Sequence, residues 1–363
     1  MNLTLIFLAP FIFSLILTPL TIKLAKKYGF VDDPKVHKHP AILHTKTTVR
    51  GGGGAIFLAT LLASFIFLPL TKEFIGIFIG GLVLVLAGLW DDKKDLGNSL
   101  KLLCQVLAAL IVIAGGVGIS FITNPLLIFS SSGFGLGPVV HLDIWRIGFD
   151  FLGQHSIVIL SDLFALFWIV WVINMVNFSS GVDGQMPGIV FVALMVIFAA
   201  SLRFIDQDPN QLIVTRLSLI GAGATLGFLA FNFYPAKIFP GDSGSYFLGY
   251  LVAVVAILSG VKLGAALLVM AIPLIDGVFT VMRRVATANS PFRGDRKHLH
   301  HRLIELGWGQ RRIALFYYLV CAILGALALV LSSFIKIFAG LVVVIVVLGG
   351  LIWLNFYLPQ KTR

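Results

Sequence analysis

Residues 74–90 read FIGIFIGGLVLVLAGLW, and two carboxylates, Asp91 and Asp92, follow this apolar run directly. With its flanking residues, the run is long enough to cross the ~30 Å hydrocarbon core of a bilayer as a helix. Only helices and closed barrels satisfy their backbone polar groups in lipid, so the run predicts a membrane helix. Charged carboxylates are costly beside lipid and rare there without a role. Asp91 and Asp92 are therefore the first candidates for a functional site.

The rest of the chain has a similar composition. Of its 363 residues, 58% are hydrophobic and only 12% are charged, and the mean hydropathy is +1.00. These values exclude a soluble globular protein. They predict an all-α polytopic membrane protein that forms a single integral membrane domain, residues 1–363. About ten or eleven spans are expected, with approximate bounds 3–25, 51–70, 74–90, 100–120, 157–176, 186–203, 212–233, 245–260, 263–282, 313–333 and 337–357.

The distribution of charge predicts the orientation of these spans. The lysines nearest to the first apolar run, Lys23, Lys26 and Lys27, follow it. A cleavable signal peptide has the opposite order, so we expect a retained first helix with its N-terminus outside. In that orientation, 21 of the 27 lysines and arginines fall in inner segments, as the positive-inside rule requires. The acidic and histidine clusters described below then lie in cytoplasmic loops of a plasma or inner membrane.

The formal net charge of +11 mainly reflects this bias toward basic inner loops. A basic inner surface suits anionic ligands, such as a phosphorylated lipid or a nucleotide. Nucleic acid is a poor candidate, because the chain has no soluble basic domain to hold it. Cys104 and Cys321 fall inside predicted spans, where small apolar packing is the expected role.

The long outer segment 121–156 contains a glycine-rich stretch, SSSGFGLG at residues 130–137. A glycine-rich turn between two apolar stretches favours a short outer hairpin. A plain structured loop is the alternative.

Asp91 and Asp92 can take different roles, because adjacent side chains on a helix point about 100° apart. Carboxylate oxygens are among the ligands that Mg²⁺ prefers, so one of the two acids is a candidate metal ligand. Lys101 lies at the start of the next predicted span, where it is placed to hold a phosphate at headgroup level. A solvated loop with ordinary helix-end charges is the alternative.

Two other acids also lie at inner ends of predicted spans. Asp183 closes the polar turn NMVNFSSGVDG, in which Asn174 and Asn177 are three apart and share one helix face. Such a turn can present amides and a carboxylate to a nucleotide, or it can be a simple polar helix cap. Asp242 lies in the turn PGDSG, where glycines permit a sharp bend and the close approach of a phosphate. Its alternative role is an ordinary helix N-cap.

A basic inner loop carries His298, His300, His301 and Arg302. Imidazole and guanidinium groups can hold a pyrophosphate and stabilise charge on it as it breaks. A zinc site is the alternative, although the HExxH signature is absent. Asp276 lies within a predicted span about two turns from its inner end. A buried carboxylate there needs a partner, either in the site or in a separate ion pair.

Three other classes of protein compete with an enzyme that binds metal and phosphate through these residues. A transporter would use Asp276 and the inner acids as an ion path, but its polar groups would be expected near the membrane midplane. An intramembrane aspartyl protease would pair Asp242 with Asp276 and would leave the other acids and the histidines without a role. A non-catalytic scaffold would explain none of the clusters.

Taken in order, the motifs Asp-Asp, Asn-x-x-Asn…Asp-Gly, Gly-Asp-x-Gly and His-x-His-His resemble those of the polyprenyl-phosphate N-acetylhexosamine-1-phosphate transferases. The resemblance covers nearly the whole chain, from Asp33 to Leu306. The stretch GDRKHLHHRLIELG, residues 294–307, is similar to the N-acetylglucosamine branch. The related muropeptide branch usually carries three consecutive histidines at this point.

The resemblance implies transfer of a sugar-1-phosphate, with GlcNAc-1-phosphate favoured, from a UDP-sugar to polyprenyl (undecaprenyl) phosphate. UMP leaves, and a lipid-linked sugar pyrophosphate forms for synthesis of a cell-envelope polysaccharide. Transfer of phospho-N-acetylmuramoyl-pentapeptide in peptidoglycan synthesis is the alternative. The resemblance also implies Mg²⁺ as the cofactor, with Mn²⁺ as a substitute. A homodimer remains open as the assembly.

The resemblance also implies roles for individual residues. The expected catalytic residues are Asp91, Asp92, Asp242, His298, His300 and His301. The expected metal ligands are Asp242, Asp91 and Asp92. The residues expected to bind the substrates are Lys101, Asn174, Asn177, Asp183 and Arg302.

Two positions depart from the family pattern. The family commonly has Asp-Gly-x-Asp-Gly, and Ser180 replaces the first of these acids, which removes one negative charge near the nucleotide or the metal. The first inner loop, DPKVHKH from Asp33 to His39, lacks the usual Arg-Lys pair. The motifs therefore identify the type of reaction more closely than they identify the sugar that is transferred.

Overall fold

The computed structural model of the chain describes residues 2–33, 47–124, 137, 139–150, 154–206, 210–260, 263–288, 290 and 297–357. The first inner loop beyond Asp33, most of the glycine-rich stretch 130–137 and residues 294–296 lie outside these ranges. The helices are α1 (Leu3–Tyr28), α2 (Gly53–Phe67), α3 (Lys72–Lys94), α4 (Asn98–Ala114), α5 (Ile159–Phe178), α6 (Gln185–Leu202), α7 (Asn210–Asn232), α8 (Gly241–Leu258), α9 (Leu263–Val269), α10 (Ala271–Ala286), α11 (Leu299–Glu305), α12 (Gln310–Val330) and α13 (Ser333–Ile352). The strands are β1 (Val31–Asp32), β2 (Thr48–Val49), β3 (Phe121–Thr123), β4 (Val139–His141), β5 (Arg146–Asp150) and β6 (Gln154–Val158).

Within the described residues, eight helices are long and apolar enough to cross a membrane, and the bent pair α9–α10 makes up to nine. Two shorter apolar helices, α2 with 15 residues and α4 with 17, accompany them. Each of the eleven predicted spans coincides with one of these helices or with the bent pair. The chain is therefore an all-α polytopic membrane protein, as its composition predicts.

The predicted span 263–282 is wrong as one unbroken helix. α9 and α10 meet at Met270 with a bend of 76°. Pro273 lies in the first turn of α10, where a proline's missing N–H removes no intrahelical hydrogen bond. The same proline would disrupt a helix that continued through it, so the chain starts a second helix instead.

The core of the bundle is built around α8. All of its residues from Ser243 to Ile257 are buried, although the helix begins with the polar turn that contains Asp242. Helices α3 and α5 pack against it along most of its length. The approach is close because glycines lie at the contacts: a Cβ on Gly249 would lie 2.7 Å from the Cα of Ile173. Small residues at helix contacts are the usual means of packing membrane helices.

Antiparallel hairpins form outside the helical bundle. β3 pairs with β4, and β5 pairs with β6, so the outer segment contains two short hairpins where the sequence favours one. The β3–β4 pair spans the glycine-rich stretch. At the other end of the bundle, β1 pairs with β2. Arg50, which follows β2, forms an ion pair of 2.9 Å with Asp32 of β1.

One end of the bundle gathers the polar turns between helices, and we call it the site end. The N–H of Gly53, at the start of α2, donates to the carbonyl of Pro240 just before α8 at 3.1 Å. The C-terminal ends of α3 and α5 meet the N-terminal end of α8 in the same place. Because consecutive membrane helices run in alternate directions, the hairpins β3–β4 and β5–β6 lie at the opposite end.

Candidate active site

The acidic cluster at the site end consists of Asp91, Asp242 and Lys101. The Lys101 ammonium lies 2.8 Å from Oδ2 of Asp91 and 3.5 Å from Oδ2 of Asp242. Exposed Asp95 is farther from it, at 3.9 Å. Asp91 is buried, whereas the side chains of Asp242 and Lys101 are 26% and 20% exposed to solvent. The cluster can therefore be reached by a ligand from its Asp242–Lys101 side.

Hydrogen bonds fix the carboxylate of Asp242 in one orientation. The Asn177 amide donates to its Oδ1 at 2.9 Å and to the hydroxyl of Ser245 at 2.7 Å. The Tyr246 hydroxyl donates to Oδ2 at 2.8 Å. Asn177 therefore positions Asp242, and its predicted contact with a nucleotide remains a prediction.

Asp92 faces the first turn of α8. Its Oδ1 accepts the N–H of Asp242 at 2.9 Å, and its Oδ2 accepts the hydroxyl of Ser243 at 2.9 Å. A carboxylate at a helix N-terminus satisfies backbone donors that have no partner within the helix and is favoured by the helix dipole. Asp91 and Asp92 therefore make different contacts, and Asp92 caps the first turn of α8 beside Asp242.

This cap requires glycine at two close approaches. Gly241 has φ +65°, in the left-handed region, and a Cβ there would lie 2.2 Å from Oδ2 of Asp92. Gly88, one turn before Asp92 on α3, would place a Cβ 2.3 Å from the backbone of Ser243. At Gly88 no other residue fits without moving one helix from the other, and at Gly241 a side chain would strain the backbone and displace the Asp92 carboxylate.

Asn174 and Asp183 hold neighbouring parts of the scaffold together. The Asn174 amide donates to Gln105 at 2.7 Å, which joins α5 to α4. Asp183 accepts the N–H of Ala236 at 2.9 Å, and its own N–H donates to Gln310 at 3.3 Å. Both residues lie at the site end as predicted, and their roles in binding a substrate remain predictions.

The histidines lie on α11, and Asp276 fixes the start of this short helix. The Asp276 carboxylate accepts the N–H of Leu299 at 3.0 Å and lies 2.9 Å from Nδ1 of His298. The carboxylate therefore selects the His298 tautomer that carries hydrogen on Nδ1 and leaves Nε2 for another partner. The sequence left the partner of Asp276 open, and the structure shows that this partner is the His298 imidazole.

All three histidines are buried, and their rings form one column. The rings of His298 and His300 are stacked with centroids 5.5 Å apart, and His300 lies 4.3 Å from His301. Among the residues that the structure describes, neither ring nitrogen of His300 has a hydrogen-bond partner. Burial, and next the neighbouring imidazoles of His301 and His298, holds the pKa of His300 well below its usual value. His300 is therefore neutral at neutral pH.

Arg302 anchors α11 to the C-terminal helix. Its guanidinium donates to Oδ1 of Asn355 at 3.0 Å and to Glu305 at 2.6 Å. Asn355 lies in the π-helical turn that ends α13 (Trp353–Tyr357). The structure thus shows Arg302 holding the histidine helix in place, and its predicted contact with a substrate is untested.

The end of α5 brings the two clusters together. Asn177 contacts Asp242 in the acidic cluster, and the next residue, Phe178, places its ring 5.7 Å from that of His298. A Cβ on Gly181 would lie 2.1 Å from Nε2 of His300, so the turn after α5 lies directly against the histidine column. The carboxylates and the imidazoles, distant in sequence, therefore border the same helix end.

Sequence reasoning missed Gln105, Ser243, Tyr246 and Asn355 as supporting residues. Tyr246 and Ser243 carry a detectable signal, because they lie within one turn of Asp242 on the same helix. Gln105 and Asn355 have no such signal, since each meets its partner only through the packing of distant helices.

Asp91 and Asp242 form the part of the site that fits Mg²⁺. The described residues contain no group of three His, Cys, Asp or Glu side chains arranged to hold a metal ion. Mg²⁺ is commonly bound through one or two carboxylates together with substrate phosphates rather than in an all-protein cage. Two carboxylates around one ammonium match that requirement.

Replacing Asp276 with asparagine is expected to lower turnover about 10- to 100-fold, the range found when a carboxylate that orients a metal-bound histidine is lost. Asparagine keeps the bond to Leu299 but no longer fixes the His298 tautomer. Steady-state kinetics with the UDP-sugar and polyprenyl phosphate that the sequence resemblance implies measures the effect, and KM should change little. Asp143→Asn is the matched control, because Asp143 pairs with His141 at the opposite end of the bundle. Equal turnover for Asp276→Asn and the control would contradict the role given to Asp276.

Comparison with known proteins relates this site to a family. Residues 74–260 match the family model described as Glycosyl transferase family 4. A probable undecaprenyl-phosphate N-acetylglucosaminyl 1-phosphate transferase of Bacillus subtilis (strain 168) is 31% identical over 336 residues, which cover 90% of this chain and 84% of the relative. A decaprenyl-phosphate N-acetylglucosaminephosphotransferase of Mycobacterium leprae (strain TN) is 33% identical over 308 residues, covering 76% and 71%.

A more distant relative, a phospho-N-acetylmuramoyl-pentapeptide-transferase of Limosilactobacillus reuteri (strain DSM 20016), is 27% identical over 331 residues, covering 86% of this chain and 92% of the relative. The family match runs from α3 to the end of α8. It therefore contains the acidic cluster and the cap that positions it, whereas α11 lies beyond its last residue.

Proposed function

The chain belongs to glycosyl transferase family 4, and from that premise we propose that it transfers N-acetylglucosamine-1-phosphate from UDP-N-acetylglucosamine to a polyprenyl phosphate. The observation that carries this proposal is the convergence of the acidic cluster and the histidine column at one end of a membrane bundle. A lipid phosphate and a water-soluble nucleotide sugar can meet only at such an interface. The names of the Bacillus and Mycobacterium relatives support the same substrates.

In the proposed reaction, a phosphate oxygen of the lipid attacks the sugar-linked phosphorus of the UDP-sugar. The bond between that phosphorus and the oxygen bridging to UMP breaks, and UMP leaves with the electron pair. The products are UMP and a lipid-linked sugar pyrophosphate. Phosphoryl transfer of this kind depends on positioning and on neutralising charge more than on covalent chemistry by the protein.

The residues of the acidic cluster bind and orient the reacting groups. Lys101 is the accessible cation of the cluster and is proposed to hold the lipid phosphate. Asp92, Asn177 and Tyr246 are positioning residues, because they hold Asp242 through its backbone or its carboxylate. A covalent aspartyl-phosphate is unnecessary, since a bound phosphate monoester is itself the nucleophile.

Asp242 and Asp91 are proposed to hold Mg²⁺, with Mn²⁺ as a substitute. When bound, the cation supplies charge neutralisation at the pyrophosphate oxygens. Asp92 is the third ligand that the sequence predicts, and its two oxygens accept the N–H of Asp242 and the hydroxyl of Ser243.

His298, His300 and His301 are proposed to stabilise the departing UMP. His298 is held through Nδ1 by Asp276, which leaves its Nε2 for a ligand. Neutral His300 has both nitrogens free of hydrogen-bond partners within the described structure. It is available to a ligand that moves the residues packed against its ring. Asp183 is proposed to orient the nucleotide from the turn that follows α5.

The site end is proposed to face the cytoplasm, which is supported by the 21 of 27 basic residues that fall in the inner segments. The protease alternative loses its basis in the described residues. Asp276 and Asp242 have separate sets of partners, so they do not form an aspartyl dyad.

The proposed function is tested by incubating the purified protein with sugar-labelled UDP-N-acetylglucosamine, polyprenyl phosphate and Mg²⁺. We expect UMP release together with label that becomes soluble in organic solvent, and loss of both when EDTA is added. Full activity in EDTA would contradict the metal assignment. Activity with UDP-N-acetylmuramoyl-pentapeptide alone would favour the function that the Limosilactobacillus relative is named for.

A further inference from the structure

We propose that Lys101 is a resident counter-ion that keeps a divalent cation out of the ligand-free site, so that the cation binds after a substrate phosphate has drawn Lys101 away. The inference rests on the proposed function, since it assigns an order of binding at that site. Its basis is the position of the Lys101 ammonium between the carboxylates of Asp91 and Asp242.

The oxygens that contact Lys101 are the ones a cation would need. Oδ1 of Asp91 accepts the N–H of Leu96 at 2.6 Å, and Oδ1 of Asp242 accepts the Asn177 amide at 2.9 Å. The other oxygen of each carboxylate, Oδ2, faces the Lys101 ammonium, and Oδ2 of Asp242 also accepts the Tyr246 hydroxyl at 2.8 Å. Mg²⁺ binds oxygen at about 2.0–2.1 Å, so a cation shared by these two oxygens would overlap the ammonium. Occupancy by one positive group therefore excludes the other.

Lys101 is suited to leave this position when a phosphate arrives. Lysine carries a compact charge on a flexible stem, and its three donors can turn from one set of acceptors to another. The lysine side chain is partly exposed on the first turn of α4, so a phosphate can reach it from solvent or from the headgroup layer. Its departure exposes two carboxylate oxygens beside new phosphate oxygens, which together make a better Mg²⁺ site than either set alone.

The test measures binding of Mn²⁺ to the purified full-length protein in detergent, without substrates, from the electron paramagnetic resonance signal of free Mn²⁺. Lys101→Met is expected to bind Mn²⁺ at least ~10-fold more tightly than the wild type, because a neighbouring positive charge is removed. The same variant should lose transfer activity, since it lacks the group that holds the lipid phosphate. Lys101→Gln is the second variant if Lys101→Met does not elute as a single folded species.

Two controls assign the gain in affinity to this site. Lys94→Met removes the same charge from an exposed position at the end of α3 and should bind Mn²⁺ like the wild type. Adding Asp242→Asn to Lys101→Met should abolish the gain. Unchanged Mn²⁺ affinity in both Lys101 variants would overturn the inference, and so would an equal gain in Lys94→Met.

A second arm tests the coupling to phosphate. Farnesyl phosphate should raise the Mn²⁺ affinity of the wild type by a larger factor than that of Lys101→Met, because only the wild type has an ammonium to displace. Equal factors would contradict the proposed order. If the wild type transfers sugar phosphate but the Mn²⁺ results are negative, only this inference fails. If the wild type transfers nothing, the proposed function fails whatever the Mn²⁺ results are.

Discussion

Replacing Asp242 with asparagine is expected to lower turnover at least ~100-fold, which corresponds to roughly 2.7 kcal/mol of barrier. The substitution keeps the size of the side chain and its place on α8. It removes the negative charge that faces Lys101 and that is proposed to hold Mg²⁺, and it puts an NH₂ group in place of one of the carboxylate oxygens that accept from Asn177 and Tyr246. The effect should appear in kcat for UMP release.

Asp95→Asn is the matched control for this substitution. The Asp95 side chain is fully exposed, and it lies 3.9 Å from the same Lys101 ammonium. Asp95 has φ +51°, a conformation that asparagine adopts readily, so the control protein should fold. Turnover of folded Asp242→Asn close to that of Asp95→Asn would remove Asp242 from the catalytic site.

Gly88→Ala is expected to damage the site without altering any charged group. The new Cβ would lie 2.3 Å from Cα and N of Ser243, and these are backbone atoms that a side-chain rotation cannot move. Overpacking of this kind typically costs ~1–3 kcal/mol of stability. It would also separate the α3 carboxylates from α8, and a displacement of about 1 Å at a reacting centre can lower turnover ~100-fold.

The effect of Gly88→Ala is measured by thermal unfolding and by kcat on the same preparation. Gly97→Ala is the control, because Gly97 lies at the start of α4 with nothing within 4 Å of its added Cβ and with extended backbone angles. We expect the control to match the wild type in both measurements. Wild-type turnover in Gly88→Ala would show that the contact between α3 and α8 does not position the site.

The sequence was sufficient to predict which end of each helix carries the site. Asp91, Asp242 and the histidines each follow or precede a long apolar run, and the alternation of membrane spans then places them on one side. The same patterns predict the all-α membrane fold. The bend at Met270 was missed because an apolar run does not record a helix break, although Pro273 marks where the second helix begins.

The sequence could not predict which atoms meet within the site. Asp91 and Asp92 are adjacent and chemically identical, and only the rotation of α3 against α8 decides that one contacts Lys101 and the other caps a helix. The partnership of Asp276 with His298 likewise depends on how α11 folds back against α10. Such contacts join residues far apart in sequence through tertiary packing, which local periodicity does not encode.

The central claim is that the acidic cluster and the histidine column transfer a sugar phosphate as one unit to a lipid. The most direct measurement uses UDP-N-acetylglucosamine labelled with ³²P at the phosphate next to the sugar, with purified protein, polyprenyl phosphate and Mg²⁺. The account predicts that ³²P enters the organic-soluble lipid while unlabelled UMP is released. Release of ³²P-labelled UDP, with sugar but no ³²P in the lipid, would contradict it.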